Sequence, residues 1–337
     1  MDIEKTFEQL LEDKDAKIKD AEENFGETEV RDAVLAKAEL YNDHGKYPEA
    51  IETYNLALKR TIEIGKKMDI AFKLIGIYLR LENNHKIKEN IDECYKLLEK
   101  GGDWERKNKL KVYEGIYRLI VRDFTAASKL FVDVLPTFNC PEVMSYEKLV
   151  TYSVLTGILN MDRVSIKKKI LDSSEAIVYL MKLPDIKDYL ESFYYCRYRS
   201  FFQVFVRIID LVKNDPYLHH HTRYFIRETR VIIYSQFLES YKTVKLESMA
   251  NEFGVSLDFI DRELSELISA RRLPCKIDKV AGIIETDPTD ERNRLYKNGL
   301  KKGDHLLNQI QKLSRAIDLW AVCEYAWPLD MLIMNHL

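Results

Sequence analysis

The feature that most constrains this chain is a spaced repeat. Tyr47-x-x-Ala50-x-x-x-Tyr54 recurs 77 residues later as Phe124-x-x-Ala127-x-x-x-Phe131, and a poorer copy, Ile87-x-x-Asn90-x-x-x-Cys94, begins 40 residues after the first. The pattern describes packed helices: a large residue plugs a groove, a small one lets the next helix approach, and an aromatic one turn later fills the layer. In "LAKAELYNDHGKYPEAIETYNLAL" the connection is visible too, Asn42 to Lys46 with Gly45. One hairpin cannot bury its own apolar face, so units with a period of about 40 residues must stack on one another, as tetratricopeptide-like repeats do.

Twelve glycines and eight prolines in 337 residues leave few places where helices must break, so the rest of the chain also reads as predominantly all-α. Pro141 and Pro184 mark boundaries between further helices, and "DYLESFYYCRYRSFFQVFVRIIDLVKND" reads as helix whose clustered aromatics serve packing. "MANEFGVSLDFIDRELSELISARRL", residues 249–273, has the outline of a helix-turn-helix. Met249 to Phe253 meets Gly254, where a left-handed residue is needed, and Leu257 to Ser269 carries the stripe Leu257, Ile260, Leu264, Leu267 and Ile268. In "LPCKIDKVAGIIET" two short strands flank a turn at Asp278 to Gly282, which makes the unit a winged helix. A final helix from about Asn293 bears Leu306, Ile310, Leu313 and Ile317 in the 4-3-4 steps of a heptad seam, and Trp320 extends it by one step. A compact winged domain offers that seam no obvious partner, so it is expected to pack against another chain, with an intramolecular partner as the alternative.

The expected organisation is a helical-repeat superhelix over 1–185 and, over 186–290, a helical part plus the winged helix (about 234–286). A C-terminal helix follows over 291–318, then an atypical tail, 319–337, without a designed fold. The charged, helical start is no signal peptide, and the longest uncharged run, Leu149 to Met161, is too short to span a bilayer. A soluble intracellular protein is expected. The five cysteines, Cys94, Cys140, Cys196, Cys275 and Cys323, include no C-x-x-C pair and cannot all form disulfides, which fits a reducing compartment.

Several chemistries are disfavoured. A helix that reads DNA presents cations, whereas Leu257 to Ser269 offers Asp258, Asp261, Glu263 and Glu266 against Arg262 alone. The wing adds only Lys276 and Lys279, offset by Asp278. "HHH" at 219–221 is the most tempting metal motif. Its nearest following acid is Glu228, the Asp of an H-x-H-x10-D set would fall on Val231 or Ile232, and adjacent helical histidines cannot meet one ion. It reads as a solvated turn. No P-loop, no G-x-S-x-G and no cysteine in a nucleophile context occurs, so no catalytic residue, metal ligand or cofactor site is expected.

Repeats that run into one winged helix and a terminal helix resemble the PCI module, shared by the proteasome lid, the signalosome and the eukaryotic initiation factor three complex. "KGGDWERKNKLKVYEGIY" (100–117), "RDF" (122–124), "YSQFLESY" (234–241), "MANEFGV", "CKIDKV" with "IIET", and "QKLSR" (311–315) resemble the lid-subunit family called regulatory particle non-ATPase subunit seven. The resemblance covers about residues 14–317; it implies a helical segment ahead of this chain's start and a different ending after Arg315. It further implies a non-enzymatic scaffold without cofactors, in cytoplasm and nucleus, bound to other PCI subunits and the lid's zinc deubiquitinase. Neither nucleic acid, membrane nor obligate homo-oligomer is implied. Subunits of this family join through winged-helix sheet edges and a bundle of terminal helices. The edge candidates here are Cys275, Lys276, Ile277 and Asp278, with Ile283, Ile284 and Glu285; the bundle candidates are Leu306, Ile310, Leu313 and Ile317. A signalosome PCI scaffold and a nucleic-acid-binding winged-helix protein are the alternatives.

Overall fold

The computed structural model describes residues 2–101, 103–286 and 291–333. They form two compact units, Met1–Tyr234 with Glu252–Gly254, and Ser235–Asn251 with Val255–Leu337.

The first unit is built from antiparallel helix pairs. In order it contains α1 (Asp2–Asn24), α2 (Glu27–Asp43), α3 (Tyr47–Arg60), α4 (Ile64–Arg80), α5 (Asn84–Glu99), α6 (Trp104–Ile120), α7 (Phe124–Val134) and α8 (Tyr146–Asn160). A short α9 (Arg163–Ile166) runs into a π turn at Lys167–Leu171, followed by α10 (Ser174–Leu180), α11 (Pro184–Tyr194) and α12 (Tyr198–Asn214). A 3-10 turn, His219–His221, leads into α13 (Thr222–Glu239).

Four of the helix pairs are joined by the same backbone device. Gly45, Glu82, Arg122 and Cys196 all take left-handed φ, at 73°, 54°, 68° and 57°. The next N–H then reaches back across the turn: Lys46 to the Tyr41 carbonyl (2.9 Å), Asn83 to Tyr78 (3.1 Å), Asp123 to Arg118 (2.8 Å) and Arg197 to Ser192 (2.9 Å). This is the Schellman closure of a helix C-terminus, used here as a hinge between paired helices.

Each closure fixes the register of the helix after it. Five residues past each left-handed position lies Ala50, Ile87, Ala127 or Phe201, and nine past it lies Tyr54, Ile91, Phe131 or Phe205, all of them buried. The middle copy of the repeat is therefore shifted by three residues from the sequence-based register: Ile87 occupies the place of Ala50, not of Tyr47. Asn90 is only half-buried and its amide bonds the Lys86 carbonyl at 2.7 Å. Between α8 and α9 the connection is instead an extended Met161, yet Ile166 and Ile170 fill the same two buried places.

The aromatic run around α11 and α12 forms the core that its composition suggested. Tyr189 stacks on Phe201 (4.9 Å between ring centres), Phe201 on Phe205 (5.7 Å), and Phe253 lies 5.3 Å from both Phe202 and Tyr234. Each buried ring removes enough apolar surface from water to stabilise the fold by about 1.5–3 kcal/mol.

The second unit holds β1 (Thr243–Lys245), α14 (Leu246–Phe253), α15 (Leu257–Ser269), β2 (Cys275–Asp278), β3 (Ile283–Thr286) and α16 (Glu291–Ile333). The helix-turn-helix begins earlier than Met249 because β1 feeds straight into α14. Gly254 is left-handed (φ 67°), and Ile260, Leu264 and Leu267 form the buried stripe of α15, while Leu257 is exposed. The last helix continues past Arg315 to Ile333 without a break.

Candidate interaction surfaces

The sheet of the winged helix has three strands in the order β1-β3-β2, all antiparallel. Val244 and Ile277 both lie opposite Ile284, whose side chain is fully buried. This corrects one expectation. Ile283, Ile284 and Glu285 belong to the central strand, hydrogen-bonded on both sides, and offer no open edge. The third strand escapes a reading of the sequence because three residues between two helices carry almost no alternation. The sheet's two outer strands are β1 and β2. Cys275 to Asp278 therefore sits on an outer strand, with Cys275 buried, Ile277 half-buried, and Lys276 and Asp278 exposed.

The wing turn is well ordered by its own chemistry. Asp278 Oδ1 accepts from the Val280 N–H (2.9 Å) and the Ala281 N–H (3.2 Å), and Gly282 supplies φ 64°. Lys279 Nζ lies 3.1 Å from Asp261 Oδ2 on α15. One of the wing's two lysines is thus spent on the acidic helix, so the surface that would face a phosphate backbone is still less cationic than its composition.

Helix α16 presents its seam to solvent. Leu306, Ile310, Leu313 and Ile317 are each 58–62% exposed, and Trp320 is 77% exposed. Carried backwards at steps of three and four, the same seam passes through Gly303, Gly299 and Tyr296. A Cβ on either glycine would meet nothing within 4 Å. Glycine inside a helix costs about 1 kcal/mol relative to alanine, and among the described residues no contact offsets that at either position.

The histidine triplet has a structural use. His219 and His220 are exposed, but His221 is half-buried and its Nε2–H donates to the Ile120 carbonyl (2.8 Å) at the end of α6. Phe124 meets His221 edge-on (6.0 Å) and stacks on Tyr224 (5.7 Å), over which Arg122 also sits (5.0 Å). Upstream, Asp215 accepts from the Tyr152 hydroxyl (2.7 Å) and from the N–H groups of Tyr217 and Leu218 (2.9 and 3.0 Å). Burial and then the Asp215 charge push the Tyr152 phenol well above its usual pKa. Segment 215–224 is therefore a clasp on the α6–α7 turn rather than a solvated loop. The sequence carries no signal for it, because its hydrogen-bond partners on α8 and α6 lie 63 and 101 residues away.

Among the described residues, Cys94, Cys140, Cys196 and Cys275 are free thiols, and no group of three or more His, Cys, Asp or Glu side chains is placed to hold a metal ion. No described helix is long and apolar enough to cross a membrane.

Three family models match the chain: 26S proteasome subunit RPN7 over residues 2–169, the PCI domain over 209–288, and the RPN7/PSMD6 C-terminal helix over 296–317. The last interval coincides with the exposed seam. A 26S proteasome non-ATPase regulatory subunit 6 homolog of Arabidopsis thaliana is 48% identical over 312 residues, 93% of this chain and 81% of that protein. The regulatory subunit RPN7 of Saccharomyces cerevisiae is 35% identical over 325 residues, covering 93% and 76%. COP9 signalosome complex subunit 1 of Arabidopsis thaliana is 25% identical over 207 residues, 61% of this chain and 47% of that protein. A helical-repeat unit, a three-stranded winged helix and an exposed terminal seam, matched by the proteasome relatives over 93% of the chain, place it in the RPN7 family of 26S proteasome regulatory subunits.

Proposed function

We propose that this chain is a non-catalytic scaffold subunit of the lid of the 26S proteasome regulatory particle, acting in ubiquitin-dependent protein degradation by holding its neighbours in place. The observation that carries this is the seam from Leu306 to Trp320, a regular heptad of large apolar side chains left in water along α16. Five large apolar residues on one helical stripe, each more than half exposed, need a partner helix to be stable in solution. The bundle contacts are Leu306, Ile310, Leu313 and Ile317.

The outer strands of the winged helix give the second contact, β2 through Cys275 to Asp278 and, in place of the central β3, the outer strand β1. The helical repeats over 1–185 form an arm, and 186–290 form the PCI domain. The partners on this reading are other PCI subunits of the lid and its zinc deubiquitinase, in cytoplasm and nucleus. A signalosome role is the weaker reading, since identity falls from 48% to 25% on passing to that complex's subunit.

Native mass spectrometry of the tagged chain purified from its own cells tests the proposal. Recovery in an assembly of several PCI subunits with a zinc isopeptidase and the proteasome is the expected result; a free folded monomer overturns it.

A further inference from the structure

Where α11 turns into α12, three cations converge on two touching tyrosines. Tyr194 and Tyr195 pack edge to face at 5.2 Å. Arg163 lies over the Tyr194 ring (5.4 Å) and its Nη2 donates to the Tyr194 carbonyl (2.5 Å), while Lys167 Nζ is 6.0 Å from the same ring. Arg197 lies over Tyr195 at 5.4 Å. All three cations are exposed, and so is Tyr195, at 58%.

The arrangement runs against the chain's own electrostatics. Among the described residues none of the three cations forms an ion pair with a carboxylate. Of the acids nearest in sequence, Glu191 lies 3.8 Å from Lys187 instead, and Asp162, at the N-cap position of α9, makes no side-chain bond to the helix and no ion pair with Arg163. Arg163 and Lys167 are one turn apart, where like charges repel. Arg197 is the N-cap of α12, whose first turn has no acid, so a positive charge stands where the helix dipole favours a negative one. Cation–ring contacts hold the groups in position but leave their charge uncompensated.

We infer that this patch is a docking site for an acidic polypeptide segment, whose carboxylates pair with Arg163, Lys167 and Arg197 while an apolar side chain rests on Tyr195. A protein segment fits better than nucleic acid. One well-exposed ring cannot stack successive bases, and three cations are few for a phosphate backbone. This site is separate from the α16 seam and the sheet edges and does not depend on the lid reading.

Fluorescence anisotropy on the full chain tests it with two labelled probes, a peptide of alternating Glu and Tyr and an oligothymidylate of equal charge. The Arg163→Glu/Lys167→Glu/Arg197→Glu variant should bind the peptide at least about tenfold more weakly, and wild-type binding should fall with salt. Reversing three exposed lysines on other helices, Lys59→Glu/Lys88→Glu/Lys129→Glu, should leave affinity within about twofold. Circular dichroism checks that both variants fold; if the first does not, Lys167→Glu alone should still weaken the peptide about threefold. No peptide binding by wild type, equal loss in both variants, or tighter binding of the oligothymidylate overturns the inference.

Discussion

A Cβ placed on Gly115 of α6 would lie 2.6 Å from Cε1 of Phe131 on α7. The ring of Phe131 is fully buried and would have to shift within the core to admit a methyl group, so the glycine is what allows these two helices their separation. Gly115→Ala gains helix propensity yet overpacks the contact, and it should destabilise the protein by about 1–3 kcal/mol. A lower midpoint in urea unfolding, with the slope unchanged, checks this.

The left-handed turns make the opposite prediction. Glu82 is held at φ 54°, where an L side chain costs about 1–2 kcal/mol and glycine almost nothing. Part of that gain is offset by the greater freedom of glycine in the unfolded chain. Glu82→Gly should therefore stabilise the fold by about 0.5 kcal/mol, read as a higher urea midpoint.

These turns also show which parts of the fold are legible in the sequence and which are not. Gly45 and Gly254 announce their turns because glycine is the expected residue at positive φ. Glu82, Arg122 and Cys196 occupy the same conformation without that signature. The copy after Arg122 still stands out because it keeps Ala127 and its two aromatics, whereas the copy after Glu82 has Ile87 in the small-residue place and is easily set three residues out of register. The heptad seam on α16 is readable because its spacing is strictly local. Strand β1 and the clasp at 215–224 are not, since each is defined by partners distant in sequence, Glu285 facing Thr243 and the Ile120 carbonyl facing His221.

Buried thiols and phenols set a pH limit. Burial, and secondarily the nearby Glu93 charge, pushes the Cys94 thiol up to about 12, and burial raises Tyr113 and Cys275 above their usual values. Their neutral forms are favoured in the folded state. Stability is therefore intact below the unfolded thiol pKa of about 8.5 and falls as pH rises from there toward about 12. Urea midpoints measured across that range should decline, and Cys94→Ala should decline less steeply. A flat profile for the wild type contradicts the assignment.

Gly299 and Gly303 separate helix stability from assembly. Gly303→Ala should make the isolated C-terminal helix more helical by about 1 kcal/mol. If a neighbouring helix crosses α16 closely at these positions, the added methyl should at the same time weaken incorporation into the complex. Circular dichroism of the helix peptide and co-purification of the full chain give the two readings, and gains in both contradict a close crossing.

The most direct test of the scaffold account is Ile310→Asp. Ile310 is 58% exposed in the isolated chain, so a charge there should leave the unfolding midpoint within about 0.5 kcal/mol of wild type. Within a helix bundle the same charge would be buried without a partner. Tagged wild-type and variant chains expressed side by side, with the co-purifying PCI subunits quantified, decide the matter. The account predicts recovery of those subunits with wild type and loss of most of them with the folded variant. Equal recovery from a folded variant would show that the exposed seam of α16 is not the surface that joins this chain to its complex.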